Sequence, residues 1–464
     1  MFALLIALLT ISVASYVWLF YRHVKRFPKG PTPLPIIGNL LSINLRKLHE
    51  DFDRISKDYG DIFTVWLPRP CVVVMNHESI KEAFTKKGDD FSGRMGLFPD
   101  TLFQNVENGG IIFSQGENWK EQRRTSLHIL RDFGMGKNKM EEQVFVANVI
   151  NRTLYGFGYS YEQSDRLMEA ADALNVVFDG TRSSKLIFFS QVFPIVLRVP
   201  FLRRAIKDKF EKQMDVIKRI VKEDVEKVLH SWDNTQQPEC FVHSYYLEMK
   251  TNPNLNFENL LNVCSDIFLA GQETTATTLR WAALILGKHQ NEQNKIRQEI
   301  LSVLGKDGVP SMSVRQRLPY TSAAALELQR FANIIAINAP HRTVRDTCIG
   351  SVPIPADTMV LGNLYSVMTN EDVYKDSDKF IPERFLMDDG FTPNKKAIEH
   401  FCPFSIGKRL CVGEGLAKIE IFIGLVTLLQ NYKIEAVKGR EISLESTLST
   451  VLLPKPQSLC LTPV

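Results

Sequence analysis

The pattern of hydrophobic and polar residues changes along the chain. The first 20 residues are apolar or uncharged and predict a helix that crosses a membrane. Residues 1–20 contain no charged side chain, and a helix of about 20 residues spans about 30 Å, the thickness of a bilayer core. Arg22, Lys25 and Arg26 follow directly, and positive charge beside such a helix favours the cytosolic side. A cleaved signal peptide is the alternative, but the basic leading residues of that class are missing. We therefore predict an uncleaved membrane anchor over residues 1–21.

Prolines define the next segment, which we interpret as a basic hinge over residues 22–40. Four of them fall between residues 28 and 35, and proline disrupts helices and stiffens an extended chain. Beyond the hinge, alternating residues over 62–66 predict a strand, because successive side chains point to opposite faces of a sheet. We expect a turn at 68–70 and a returning strand over 71–74.

Most of the remaining chain carries helical periodicity. Apolar residues spaced by three and four recur over 206–228 and again over 416–429, which predicts two amphipathic helices. A long apolar segment that begins near Leu260 predicts a further helix, and a β-rich stretch over 447–463 closes the chain. We therefore expect a mainly α protein with a smaller β region. Because the candidate site residues are spread from 94 to 411, we predict a single domain over residues 41–464.

Composition limits the classes of protein that fit this chain. The chain has 464 residues and a formal net charge of +4, which is too weakly basic to indicate nucleic acid as an obligatory partner. Its seven cysteines are scattered and include no Cys-x-x-Cys pair. This pattern argues against a disulfide framework and a zinc site, and it suits a reducing compartment.

The cysteine with the most suggestive surroundings is Cys411. It follows Phe404, Gly407 and Arg409 and precedes Gly413. The periodic segment after it predicts a helix, whose free N–H groups and positive dipole end would stabilise an anionic sulfur. A thiolate is a strong ligand for haem iron. For a cysteine taken alone, a buried structural role in a glycine-rich turn is the alternative.

A second candidate site lies in the long helix predicted from Leu260. Ala270, Gly271 and Thr274 fall on one helical face, where two small side chains below a hydroxyl would open a groove for a small molecule. Glycine inside a helix costs about 1 kcal/mol relative to alanine, so its presence needs a reason. The Thr274 hydroxyl can also bond back to the Ala270 carbonyl and bend the helix. Close contact with another helix is the alternative explanation.

These patterns together resemble the cytochrome P450 family. The segment from Phe404 to Gly413 resembles its haem-binding loop, and the chain from Pro28 to Val464 looks like a microsomal member of the animal family-two branch. The segments 118–124 and 130–134 support that branch. The chain departs from the pattern after Val144, where relatives carry roughly one more helix. The resemblance implies the cytochrome P450 fold, with haem between the oxygen-activation helix and the cysteine loop.

The resemblance also implies roles for individual residues. Cys411 would be the axial ligand of the haem iron, Thr274 would hold dioxygen and a proton-donating water, and Glu273 would relay protons. Glu327, Arg330 and Arg384 would form a buried structural triad; the first two, taken alone, are more typical of a surface ion pair. The expected contacts of the haem and its propionates are Arg94, Trp119, Arg123, His341, Phe404 and Arg409.

The activity implied is that of a membrane-bound haem-thiolate monooxygenase. It would insert one oxygen atom of O2 into a lipophilic xenobiotic, fatty acid or steroid-like substrate, with haem b as cofactor. Electrons would come from NADPH through NADPH-cytochrome reductase, with cytochrome b5 as a further candidate partner. The expected location is the endoplasmic reticulum membrane, with the catalytic domain in the cytosol. Two alternatives remain: a haem-thiolate isomerase or dehydratase acting on lipid peroxides, and a catalytically impaired haem protein that lacks one helix after Val144.

Overall fold

A computed structural model of the chain describes residues 2–44, 47–98, 100–132, 146–159, 165–183, 190, 193–447 and 451–464. The sequence predicts that one helix is missing after Val144. Val144 and Phe145, which form this junction, lie outside the described residues. Residues 133 and 134 of the segment 130–134 also lie outside them. The β-rich stretch predicted over 447–463 is described except for residues 448–450.

The helices account for most of the described chain. They are α1 Phe2–Val24, α2 Leu48–Tyr59, α3 His77–Lys81, α4 Gly116–Asp132, α5 Val146–Tyr155, α6 Asp165–Ser183, α7 Pro200–Ser231, α8 Phe241–Thr251, α9 Phe257–Lys288, α10 Gln290–Leu304, α11 Pro319–Ala332, α12 Leu364–Met368, α13 Lys395–Glu399 and α14 Glu414–Asn431. A π-helical turn spans Glu82–Lys86, and 3-10 turns span Asp100–Phe103, Pro194–Arg198, Met312–Arg317 and Pro382–Phe385.

The strands are short and form several small sheets. They are β1 Ile62–Leu67, β2 Arg69–Val74, β3 His341–Arg342, β4 Thr347–Ile349, β5 Val352–Ile354, β6 Met359–Gly362, β7 Tyr432–Ala436, β8 Ser446–Thr447, β9 Leu453–Pro454 and β10 Leu459–Pro463. The mainly α architecture with a smaller β component is confirmed.

The described chain divides into two compact units. The smaller unit comprises residues 1–95, 336–367 and 405–410, and the larger comprises 96–335, 368–404 and 411–464. The single domain expected over residues 41–464 stays a prediction.

The sheet of the smaller unit has the strand order β1-β2-β6-β3. The antiparallel register of β1 and β2 pairs Phe63 with Val73 and Leu67 with Arg69. The predicted strand pair is therefore present, but its turn is tighter than the expected 68–70, because Pro70 already lies within β2 opposite Trp66. Phe63 and Val73 are fully buried, so the hydrophobic side chains of this hairpin form the core of the unit.

No side chain of helix α1 is buried in the structure. Of the described helices it is the one long and apolar enough to cross a membrane. At its end, Phe20, His23 and Phe27 lie edge-on to the ring of Trp66, with ring centroids 5.4 to 5.6 Å apart. These contacts fix the end of the apolar helix to strand β1 of the same unit.

The larger unit is built around α9, whose side chains are buried over most of its length. The Asn256 side chain caps the start of the helix by accepting a hydrogen bond from the backbone N–H of Asn259, which satisfies a donor that the helix itself leaves free. Helices α5, α7, α11 and α14 pack against it. The helix predicted over 206–228 is confirmed as part of the longer α7, and the one predicted over 416–429 as part of α14.

Candidate functional site

The sulfur of Cys411 lies just before the first turn of α14 in the larger unit. The backbone N–H groups of Gly413 and Glu414 donate hydrogen bonds to it, as expected for a sulfur beside the free donors of a helix N-terminus. The Cys411 N–H donates to the Phe404 carbonyl oxygen, 3.1 Å away, which closes the turn. The residue as a whole is exposed.

Opposing effects act on the pKa of Cys411. Burial raises the pKa of the thiol, while the N–H groups and the positive charge of Arg123 lower it. A free thiol is therefore not strongly ionised here, but a metal cation would tip this balance, because the thiolate is the form that binds metal. Among the described residues, no three His, Cys, Asp or Glu side chains stand close enough to hold a metal together. A single sulfur ligand suits a metal that brings its other ligands with it, as iron does in a porphyrin.

Gly407 shapes the segment before this cysteine, within the smaller unit. Its φ is +83°, and a Cβ at this position would lie 1.8 Å from the carbonyl oxygen of Phe84. The next residue, Lys408, donates its N–H to the same carbonyl at 3.0 Å. Glycine is therefore required at 407 by both the backbone conformation and the close approach of another chain segment.

Trp119 and Arg123 lie one turn apart on α4, in the larger unit. Trp119 is almost fully buried, and Arg123 is half-buried. Burial lowers the pKa of Arg123, and the negative charge available to Cys411 acts in the opposite direction. The Arg123 guanidinium therefore interacts electrostatically with the Cys411 sulfur. An anion bound near this guanidinium would stabilise its charged form.

Three further predicted contacts, Arg94, His341 and Arg409, come together within the smaller unit. Arg94 donates to the Pro340 carbonyl oxygen at 2.8 Å, and Arg409 donates through Nε and Nη2 to the Ser92 carbonyl oxygen at 3.0 and 2.6 Å. All three side chains are at least nine-tenths buried. Burial and the charges of both arginines hold the pKa of His341 well below its usual range. This concentration of positive charge suits a carboxylate ligand.

The hydrogen bonding of His341 limits what it can donate. Its Nδ1 lies 2.8 Å from the Phe91 carbonyl oxygen, and because a carbonyl only accepts, Nδ1 carries the proton. The ring is stacked on Phe84 with centroids 3.9 Å apart. In the neutral form Nε2 has no hydrogen, so His341 could donate to a propionate only as the imidazolium. A nearby carboxylate would favour that form.

The turn of α9 that contains Thr274 is shaped by hydroxyl groups. Thr274 Oγ1 donates to the Ala270 carbonyl oxygen at 2.8 Å, as the sequence indicates. Thr278 repeats the same bond to the Thr274 carbonyl at 3.0 Å. The expected groove is only partly borne out: Ala270 is exposed, but a Cβ on Gly271 would lie 2.4 Å from Ile150 Cδ1. Gly271 therefore serves close packing of α5 on α9, the alternative that the sequence left open.

Glu273 is not brought into contact with Thr274. Its carboxylate accepts a hydrogen bond of 3.4 Å from Thr277, one turn further along α9. Adjacent residues on a helix point about 100° apart, which accounts for this arrangement. The two residues expected to handle protons therefore lie side by side in sequence but need an intervening water to connect them.

The predicted structural triad is held together in the larger unit. Glu327 accepts hydrogen bonds from Arg330 Nε at 2.7 Å and Arg384 Nε at 3.0 Å. Both Glu327 and Arg330 are essentially inaccessible. The remaining donors of Arg330 bond to the Met368 and Ser377 carbonyl oxygens, each at 2.9 Å, so these guanidinium donors fix the segment around 368–379.

Two buried acids near these elements were not identified from sequence. Glu420 on α14 hydrogen-bonds to Thr275 of α9, and burial raises its pKa to about 8. Asp266 on α9 accepts the N–H groups of Ile111 and Ile112 at 2.6 and 3.0 Å, and burial raises its pKa to about 7. The sequence signal is a charged residue within an otherwise apolar helical segment, as Glu420 shows between Ile419 and Ile421.

Comparison with known proteins gives a consistent result. The family model described as Cytochrome P450 matches residues 28–145 and 143–461. Cytochrome P450 2F2 of Rattus norvegicus is 35% identical over 495 residues, covering 99% of this chain and 97% of the relative. Cytochrome P450 2C23 of Rattus norvegicus is 35% identical over 497 residues, with coverage of 99% and 98%. Cytochrome P450 2C5 of Oryctolagus cuniculus is 34% identical over 475 residues, with coverage of 95% and 94%.

The same comparisons bear on the junction after Val144. The two matched stretches of the family model meet at residues 143–145, where the sequence departs from the expected pattern. The alignment with the first of these relatives spans 495 positions, more than the 464 residues of this chain. The relative therefore carries additional residues, and the break in the family match falls at residues 143–145, where one helix is expected to be missing from this chain.

Proposed function

The chain belongs to the cytochrome P450 family, and on that premise we propose that it oxidises lipophilic substrates at the endoplasmic reticulum membrane with electrons from NADPH. It is a cytochrome P450 monooxygenase, and its cofactor is haem. The observation that carries it furthest is the environment of Cys411, a single sulfur that accepts hydrogen bonds from the backbone N–H groups of Gly413 and Glu414 at the start of α14.

We assign Cys411 as the residue whose thiolate would hold the haem iron. In that role the sulfur would donate electron density to the iron, which would favour cleavage of the bond between two oxygen atoms. The N–H groups of Gly413 and Glu414 would temper the charge on the sulfur. Phe404, whose carbonyl accepts the cysteine N–H, would keep the ligand in place.

The propionate contacts proposed for the haem come from two sets of residues. Arg123 and Trp119 on α4 form one set, supported by the electrostatic interaction between Arg123 and Cys411. Arg94, His341 and Arg409 form the other set, supported by their burial together and by the positive charge of the two arginines. Charged donors suit carboxylates because their hydrogen bonds are about twice as strong as neutral ones.

We assign Thr274 and Glu273 to proton handling. The reaction consumes O2, two electrons and two protons, leaving one oxygen atom in the product and the other in water. Since the Thr274 hydrogen is engaged with Ala270, the lone pairs of its oxygen are available to accept a hydrogen bond from water. That water would be held ready to give up a proton, and Glu273, fixed by Thr277, would replace the proton through solvent.

Electrons are proposed to arrive from NADPH through NADPH-cytochrome reductase, with cytochrome b5 as a further candidate donor. Lys120 in the larger unit and Lys408 in the smaller unit are each a candidate docking residue: their side chains are 53% and 45% exposed, and each also pairs with a carboxylate, Glu117 and Asp89 respectively. Complementary charge speeds such encounters more than it strengthens them. Arg123 is half-buried and interacts electrostatically with Cys411, so it is assigned to the haem and not to docking.

The membrane assignment rests on α1, an apolar helix with no buried side chain, followed by basic residues. An exposed helix of this kind is stable when lipid surrounds it. The positive charge at its C-terminal end supports a cytosolic position for the rest of the chain. A xenobiotic, a fatty acid or a steroid-like molecule would then reach the enzyme from the same membrane.

The test is turnover by the full-length protein in lipid vesicles with reductase, using isotopically labelled dioxygen. We expect product only when NADPH is present, with one labelled oxygen atom in each product molecule. Conversion of a lipid hydroperoxide without NADPH, and without incorporation of label, would instead identify an isomerase or dehydratase. Absence of any bound haem in folded protein would identify the impaired form.

A further inference from the structure

Lys87 and Cys348 form a contact between an ammonium group and a sulfur atom, within the smaller unit. The Lys87 ammonium donates to the Glu82 carboxylate at 2.8 Å, to the Cys348 carbonyl oxygen at 2.8 Å and to the Cys348 sulfur at 3.1 Å. An ammonium has three hydrogens, so each of them has a partner. The nitrogen is therefore held in place beside the sulfur.

This contact joins two segments that are far apart in the chain. Glu82 begins the π-helical turn that Lys87 directly follows, whereas Cys348 lies on β4, 261 residues after Lys87. The Glu82 carboxylate also accepts the backbone N–H of Gly350 at 2.9 Å, in the turn between β4 and β5. The nitrogen and the sulfur are thus kept together by hydrogen bonds on both segments.

Small solutes can reach this pair of residues. The side chains of Lys87 and Glu82 are 31% and 26% exposed, and Cys348 is partly exposed. Four other cysteines are buried: Cys71, Cys240, Cys264 and Cys402. Since Cys411 is assigned to the haem iron, Cys348 and the exposed Cys460 are the thiols that a dissolved oxidant would meet.

The carboxylate of Glu82 supplies a place for a proton. Hydrogen bonds with Glu82 and with the Cys348 sulfur raise the pKa of Lys87, so its nitrogen is an ammonium and has no free electron pair. It must lose a proton before it can form a bond. Glu82 accepts a hydrogen bond from that same nitrogen, and it can pass the proton on to solvent. The three side chains therefore combine a thiol, an amine and a proton acceptor.

We propose that Lys87 and Cys348 become joined by a covalent nitrogen–sulfur bond when hydrogen peroxide oxidises the cysteine. In the first step the thiol and one hydrogen peroxide give a sulfenic acid and water, so the sulfur loses two electrons and the peroxide gains them. In the second step a proton moves from the Lys87 ammonium to Glu82, and the amine attacks the sulfur. The sulfenic hydroxyl leaves as water with a second hydrogen from the nitrogen, and no further oxidant is consumed. This modification is independent of the proposed function, because the peroxide can be supplied as a reagent.

The bond would tie the β4–β5 hairpin to the turn that carries Phe84. The Phe84 carbonyl oxygen accepts the N–H of Lys408 at 3.0 Å, and its ring stacks on His341. The modified pair is therefore connected through one turn to residues beside the segment that precedes Cys411.

The experiment treats the full-length haem protein with hydrogen peroxide, removes the excess with catalase, alkylates the remaining thiols and analyses the peptides by mass spectrometry. In wild type we expect the peptides that contain Lys87 and Cys348 to be joined, with a mass two hydrogen atoms below their sum, and to separate after treatment with a phosphine reductant. Lys87→Arg keeps the positive charge without a nucleophilic amine, so Cys348 should stop at a sulfenic acid that dimedone traps. The matched control is Lys86→Met, which removes the adjacent exposed lysine and should form the bond as wild type does.

Several results would overturn this inference. One is a wild-type protein in which Cys348 remains a sulfenic acid and no joined peptide forms. Another is oxidation of Cys460 while Cys348 stays a thiol, which would show that exposure alone decides the reaction. Joined peptides that carry an added oxygen atom would exclude the direct bond between nitrogen and sulfur. None of these results bears on the proposed function, which is judged by NADPH-dependent turnover of the untreated enzyme.

Discussion

Glu327 and Arg330 form an ion pair that is withdrawn from solvent almost completely. Arg330 Nε lies 2.7 Å from the Glu327 carboxylate, and the two side chains are 0% and 1% exposed. Arg330 Nη2 reaches the other carboxylate oxygen at 2.9 Å, so the pairing is bidentate. Arg384 adds a second guanidinium at 3.0 Å. Such a group is weak evidence for net stability, but the loss of one member is costly.

Replacing Glu327 by glutamine should therefore destabilise the protein strongly. The change leaves two guanidinium groups without their carboxylate, and stranding a buried charge costs about 3–5 kcal/mol. Denaturant unfolding of the haem-loaded protein measures this difference. The control is Glu383→Gln, which breaks the pair with Lys295 at 2.7 Å, whose partners are half-exposed; about 1 kcal/mol or less is expected there. Equal losses in both variants would contradict the structural role of the triad.

Replacing Thr274 by alanine should uncouple electron consumption from product formation. The variant loses the hydroxyl that would hold a proton-donating water, and positioned proton transfer contributes about 10²–10⁴-fold to a rate. We expect product per NADPH to fall at least tenfold while hydrogen peroxide release rises. Thr278→Ala removes the same kind of hydroxyl-to-carbonyl bond one turn later and should retain the wild-type ratio. A similar fall in both variants would assign the effect to helix shape and not to the hydroxyl.

Adding one methyl group at Gly271 should strain the contact between α5 and α9. An alanine Cβ would lie 2.4 Å from Ile150 Cδ1, and overpacking of this kind costs about 1–3 kcal/mol. The better helix propensity of alanine returns about 1 kcal/mol, so a modest net loss is expected. Ile150→Val shortens the side chain that would clash, so a double-mutant cycle should show coupling of at least about 0.5 kcal/mol. Additive effects would mean that the two residues do not touch.

Glu420 predicts a pH dependence of stability with a definite sign. Its pKa is raised from 4.5 to about 8 in the folded protein, so the folded state keeps this proton to a higher pH than the unfolded chain. The free energy of unfolding therefore decreases as pH rises from about 4.5 to about 8, by at most about 1.4 kcal/mol per pH unit. Denaturant unfolding across that range should show a shallower decline in Glu420→Gln than in wild type.

The control for this prediction is Thr275→Val, which removes the hydrogen-bond partner of Glu420 but leaves the acid in place. It should keep the decline in stability, because the buried carboxyl still titrates. If Glu420→Gln and wild type followed parallel curves throughout this pH range, the carboxyl would not be held protonated in the folded state.

The sequence was most informative where chemistry depends on local spacing. Glu327 and Arg330 are three residues apart on one helix, and the hydroxyl of Thr274 reaches back one turn to Ala270, so both contacts follow from helix geometry. The segment around Cys411 is equally local, since Phe404, Cys411 and Gly413 lie within ten residues.

Contacts between segments that are distant in the chain could not be predicted from local spacing. The reason for Gly271 lies in Ile150 of another helix, and the partner of Lys218 is a backbone carbonyl 114 residues earlier. Glu420 meets Thr275 only because α14 and α9 pack together. Helix periodicity predicts that such faces are buried, but it does not specify which face of another element covers them.

The most direct test of the central claim is the absorption spectrum of the reduced protein with carbon monoxide. Wild type should show the red-shifted Soret band typical of thiolate ligation, and Cys411→Ala should lose it. Cys402→Ala, which removes a buried thiol nine residues earlier whose pKa burial raises to about 12, should retain the wild-type band. A folded, haem-loaded wild-type protein without that band, or a Cys411→Ala variant that keeps it, would contradict the assignment of Cys411 as the iron ligand.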